Sequence, residues 1–166
     1  MKSRYLLVFS AMLALSACSK DKTDGAADAG TGQDMVFQDS GMNAGAPVPG
    51  SEEDFMVNAG DRVFFDLDSV DLRPEARSTL ENQARWLQQY SNLNVTIEGH
   101  ADERGTREYN LALGERRANT VKNYLVALGI DGARINTISY GKERPDQVGS
   151  DDSSWARNRR GVTDIQ

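Results

Sequence analysis

A change in residue patterning near residue 60 sets the limits on what this chain can fold into. Downstream of it, apolar, aromatic and β-branched residues recur at strand and helix spacings; upstream, between Ser19 and Ala59, they follow neither period. The run Arg62, Val63, Phe64, Phe65, Asp66, Leu67 suits a strand. Pro74 suits a first helical turn, and Ala76, Leu80, Ala84, Leu87 and Tyr90 share one face of a helix running to about residue 90. Residues 94–99 alternate as a second strand. Thr106 is placed to cap a long helix that reaches about residue 128 and stops at Gly129. A third strand over 134–140, a short helix over 153–159 and a weak last strand from Gly161 follow. This β-α-β-α-β order predicts an α/β sandwich, a sheet of about four strands with helices packed on it.

The segment 19–59 is built from Gly, Ala, Asp, Ser, Asn and Pro, and it cannot bury enough surface to offset the entropy of ordering it. Lys20 and Lys22 face eight acidic residues there, a net charge of −6 whose self-repulsion favours an extended tether. Met35, Val36 and Phe37 form an apolar cluster within it.

Ahead of the tether, Lys2 and Arg4 precede an apolar run from Tyr5 to Leu15 that is too short to cross a bilayer, the layout of a secretory leader. The chain's single cysteine, Cys18, closes it, so no intrachain disulfide can form. Leu15, Ser16, Ala17 and Cys18 resemble the lipobox of bacterial lipoproteins, which implies acylation of the thiol and cleavage before it. Several acyl chains, at about 0.8 kcal/mol per buried methylene, make such an anchor effectively permanent. Ser19 stands where an aspartate would favour inner-membrane retention in lipoproteins of enteric bacteria, so the expected destination is the outer membrane. The expected organisation is a leader over 1–17, a lipidated N-terminus and tether over 18–59, and one periplasmic domain over 60–166. The 166-residue chain is acidic, at −6 and a pI near 4.8, and cannot grip nucleic acid by bulk charge.

The segment from Gly99 to Thr106 lies between the end of a strand and the start of a helix, a place where α/β sheets bind ligands. On the helix that follows, 100° steps put Val121, Tyr124 and Leu128 on the face turned to the sheet. Asn110, Leu113 and Arg117 fall on that face too, while Glu115 and Arg116 point away. An arginine in an apolar stripe is costly unless something satisfies it. A ligand would do so, and so would an internal salt bridge from Arg117 to Asp102 or Asp68.

In order along the chain, Phe65 to Asp68, Gly99 to Thr106, Tyr109 to Ala118, Ser139 to Pro145 and Asn158 to Arg160 resemble the peptidoglycan-associated lipoproteins of the OmpA-like family, over about 60 to 163. The resemblance implies noncovalent binding of the diaminopimelate residue of the peptidoglycan stem peptide, with no enzymatic activity and no cofactor. It also implies TolB as a partner, within the Tol-Pal system that serves envelope integrity and cell division. Carried over by motif, Asp102 receives the ligand's ammonium and Arg117 clamps its carboxylate through two parallel hydrogen bonds. Asp68 joins them, Asn110 and Leu113 line the pocket, and Arg104 belongs to the same loop. On this reading Arg117→Ala removes binding and leaves the fold intact.

The chain departs from the family pattern at Ser69 and Val70, at Gly161 where alanine is usual, and at Thr163 and Asp164 in the last strand. His100 is the only histidine, which leaves no histidine-rich metal site and reads as a packed residue. Asn158, Arg159 and Arg160 read as structural, Trp86 as core, and Trp155 as either packing or sugar-stacking. The competing class is a peptidoglycan amidase or lytic enzyme, for which His100 and Asp102 lack a nucleophile that the sequence can place.

Overall fold

Ser51 begins the first element, one that the apolar pattern does not announce. The structure, a computed structural model, describes residues 46–166; the leader, Cys18 and the tether as far as residue 45 lie outside them. Helix α1 (Glu52–Asn58) has Ser51 as N-cap, its hydroxyl accepting from Asp54 N at 3.1 Å. Phe55 on this helix is fully buried and meets the Trp86 ring edge-on at 5.0 Å. The Asp54 carboxylate accepts from Trp86 Nε1 at 2.9 Å. The folded part therefore starts ahead of residue 60, inside the segment expected to be tether. Its three apolar residues stand in a row and only Phe55 is buried, which gives no periodicity, and what fixes α1 is contact with a helix further along the chain.

Strand β1 (Arg62–Phe64) is shorter than its apolar run. Phe65 N still donates to Arg159 O at 2.9 Å, but the chain then turns, with Ser69 N reaching Asp66 O. Helix α2 (Pro74–Gln89) opens on its proline and buries Ala76, Leu80, Ala84 and Leu87 as the spacing predicts. Strand β2 (Val95–His100), helix α3 (Arg107–Ala127), strand β3 (Ile135–Gly141), helix α4 (Asp152–Asn158) and strand β4 (Arg160–Ile165) complete the domain.

The four strands form one mixed sheet in the order β1-β4-β2-β3. β2 and β3 run parallel, joined by the α3 crossover, and β4 lies antiparallel between β1 and β2. The α/β sandwich expected from the sequence, a sheet of four strands with helices packed on it, is the fold observed. Leu80, Leu87, Val95, Ile97, Val121 and Leu125 meet in one cluster between helices and sheet. The polar Thr163 fits the last strand because its hydroxyl donates to Gln83 Oε1 at 3.0 Å, and Gln83 Nε2 donates in turn to Gly60 O at 2.6 Å.

Candidate functional site

Three stretches of chain converge where β2 ends. The turn after β1 supplies Asp68, which adopts a left-handed backbone (φ 52°) that a short polar side chain tolerates, and whose carboxylate accepts from the Tyr109 hydroxyl. The β2–α3 loop supplies Asp102 and Arg104. It is pinned by Asn110 Nδ2 donating to Arg104 O at 2.8 Å and by Lys142 Nζ donating to Gly105 O at 2.7 Å. The buried face of α3 supplies Asn110, Leu113 and Arg117, with Thr106 as the N-cap that aims the helix. All six sequence-predicted residues line one cavity of about 340 Å³.

Tyr109 and Arg159 line it too, and neither was expected there. Tyr109 opens the stretch from Tyr109 to Ala118 that carries the family resemblance, but helical spacing puts its neighbour Asn110, and not Tyr109, on the inward face. Arg159 reaches the site from α4's end, with Nη1 3.2 Å from Asp102 Oδ2 and Nε donating to Phe65 O at 3.1 Å. That contact spans almost the whole domain, so no local spacing encodes it.

Arg117 is fully buried, yet it pairs with neither Asp102 nor Asp68. Its Nε donates to Ser69 O (3.0 Å), Nη1 to His100 O (2.9 Å) and Nη2 to Asp66 O (2.9 Å). Three backbone carbonyls, two from the turn after β1 and one from the end of β2, thus answer the cost of burying the guanidinium, where a salt bridge or a ligand was expected to do so. A guanidinium has five N–H groups, so two remain beyond these bonds. Burial, and then the charge of Arg159, push its pKa down to about 10, so it remains cationic at neutral pH.

Asp102 is its counterpart. Burial alone would raise its pKa, but hydrogen bonds from the side chain and backbone of Arg104 and from Arg159 outweigh burial and hold it below the ordinary carboxylate range. A cavity lined by one anchored cation and one firmly ionised carboxylate offers complementary charge to a zwitterion. His100, one residue from the loop, is buried and neutral, its pKa pushed down to about 4 by burial and then by Arg160.

The OmpA family model matches residues 64–159, and so takes in every residue of the cavity. The chain belongs to the OmpA family. Within it, the peptidoglycan-associated lipoprotein of Mesorhizobium japonicum is 50% identical over 161 residues, covering 96% of this chain and 90% of that one. The peptidoglycan-associated lipoprotein of Rhizobium meliloti is 60% identical over 123 residues, 74% of this chain and 70% of its own length. A crystal structure of the peptidoglycan-associated lipoprotein from Burkholderia pseudomallei superposes with a TM-score of 0.62 at 40% identity, over 64% of this chain and 90% of that one. The chain is thus a peptidoglycan-associated lipoprotein by family, and members of this OmpA group are not enzymes.

Proposed function

We propose that this chain holds peptidoglycan noncovalently, through the diaminopimelate residue of the stem peptide, and ties it to the outer membrane through acyl chains on Cys18. The reading extends to a place in the Tol-Pal system with TolB as partner, serving envelope integrity and cell division. The observation that carries it is the single cavity into which Asp102, Arg117 and Asp68 are gathered from separate parts of the chain. The names of the relatives support the ligand class, and the lipobox at Cys18 supports the anchor.

In this cavity the ammonium of a free diaminopimelate end goes to the carboxylate side, at Asp102 and Asp68. Its carboxylate goes to the two uncommitted N–H groups of Arg117, with Leu113 against the methylenes. A few charge-assisted contacts of about 1.5–3 kcal/mol each, less the cost of association, limit single-site binding to the micromolar range or weaker. Many membrane-tethered copies facing one polymer gain further by avidity.

The test is retention on purified sacculi. Wild-type chain is expected to sediment with them and release no muropeptides, and Asp102→Asn to stay in the supernatant with an unchanged far-ultraviolet circular dichroism spectrum. Equal retention of the folded variant would remove the cavity from the explanation. Release of muropeptides would favour an enzyme.

A further inference from the structure

Asp102, which has to receive the ligand's ammonium, has no free acceptor position. A carboxylate offers about four lone-pair directions. At Asp102, Oδ1 accepts from Arg104 N (3.1 Å) and Arg104 Nε (3.1 Å), and Oδ2 accepts from Arg104 Nη2 (2.6 Å) and Arg159 Nη1 (3.2 Å). With Asp102 itself only 5% exposed, an incoming cation must displace a donor already in place.

The two arginines differ in how firmly they are held. The Arg159 side chain is 15% exposed and tied back to Phe65 O, whereas the Arg104 side chain is 36% exposed and makes no hydrogen bond other than those to Asp102. The Arg104 guanidinium carbon lies 4.0 Å from the centre of the Trp155 ring, and that ring is fixed by its Nε1 donating to Glu103 Oε1 at 3.0 Å. Asp152 and Glu103 both add favourable field at Arg104. The guanidinium thus already rests on this ring while it is bonded to Asp102, so it can leave the carboxylate by sliding along the indole towards Glu103 without giving up the aromatic face.

We propose that Arg104 guards Asp102: it occupies the carboxylate in the free protein and slides off it along the Trp155 ring when a ligand ammonium takes its place. This rests on the cavity being the diaminopimelate site and adds the residue that sets its selectivity. Only a ligand that brings a cation to Asp102 and an anion to Arg117 recovers the bonds given up. A ligand lacking the amine leaves Arg104 where it is. If the displaced state is populated at about 10% in the free protein, the guard weakens apparent affinity about tenfold.

The experiment is calorimetric titration of the full chain, as wild type, Arg104→Ala and the bulkier Arg104→Gln, with meso-diaminopimelate and with pimelate, the same dicarboxylate lacking both amines. Both variants are expected to bind diaminopimelate about tenfold more tightly than wild type and to gain nothing for pimelate. Weaker or unchanged diaminopimelate binding by the variants, with wild type still binding, overturns the guard and makes Arg104 a ligand contact or a bystander, leaving the cavity reading in place. An equal gain for pimelate overturns it as well. No binding of diaminopimelate by any of the three proteins overturns the guard together with the cavity reading.

Discussion

Gly114 on α3 lies directly against the Gly99 backbone of β2: a Cβ at Gly114 would stand 2.6 Å from the Gly99 carbonyl oxygen and would collide with the Ser139 hydroxyl. Neither glycine has a positive φ, so the requirement is closeness and not backbone conformation. This contact sets how near the Arg117 face of α3 comes to the strand that ends at Asp102. Gly114→Ala is expected to push the helix off the sheet and cost about 1–3 kcal/mol, read as a lowered urea midpoint. Diaminopimelate affinity should fall along with it, because the two charged walls of the cavity separate.

Arg117 and its neighbour Arg116 should respond oppositely to truncation. Arg116 is exposed, and Arg116→Ala is expected to change stability by no more than about 0.5 kcal/mol. Arg117→Ala strands three carbonyls, at Asp66, Ser69 and His100, and is expected to cost on the order of 3–5 kcal/mol. Arg117→Ala is therefore expected to weaken the fold, where the sequence alone suggested that it leaves the fold intact, and a loss of binding by this variant would be confounded with unfolding. Chemical denaturation of the two variants side by side checks the contrast.

Most of the fold can be read from the sequence because its signals are local. The cap at Thr106, the stop at Gly129 and the stripe from Ala76 to Leu87 each involve residues within a few turns of one another, and each stands where the spacing puts it. Helix α1 escapes such reading because Phe55 and Asp54 find their partner at Trp86, about thirty residues away. The candidate site divides the same way. Helical geometry alone places Asn110, Leu113 and Arg117 on one inward face, and they line one cavity. The acceptors of Arg117 could not be foreseen, since they are backbone carbonyls of the turn after β1 and of the end of β2, and any residue type supplies a carbonyl. Arg159 escapes for a related reason: its pairing with Asp102 depends on how α4 is set down beside β1.

Asn158 holds the connection between β3 and α4 in place. Its Oδ1 accepts from Asp146 N at 2.7 Å and Gln147 N at 3.0 Å, its Nδ2 donates to Gln147 O at 2.7 Å, and the residue is buried. Asn158→Ala leaves these backbone groups without their partner and is expected to cost about 2–3 kcal/mol. Amide exchange at Asp146 and Gln147 should accelerate far more than exchange at the β2 amides. A uniform acceleration would mean that the side chain supports the whole domain and not that connection.

His100 gives the domain a pH dependence of defined sign. Its folded pKa of about 4 lies below the ordinary 6.5, so between those values the unfolded chain binds the proton more readily and stability rises with pH. The contribution is complete above about pH 6.5 and is lost as the pH falls through 4, up to about 3 kcal/mol by linkage. Asp102, also depressed, adds a second loss that begins only below its ordinary value of 3.8. Glu98 opposes them, because burial and then Asp164 raise its pKa above the ordinary 4.5, so it favours the folded state less as pH rises through that range. The informative measurement is therefore a difference: urea-denaturation free energies of wild type and His100→Gln at pH 7.5, 5.5 and 4.5. The gap between the two proteins is expected to shift in favour of the variant by about 1 kcal/mol or more per pH unit below 6.5, and a gap independent of pH would show that His100 takes up its proton as easily folded as unfolded.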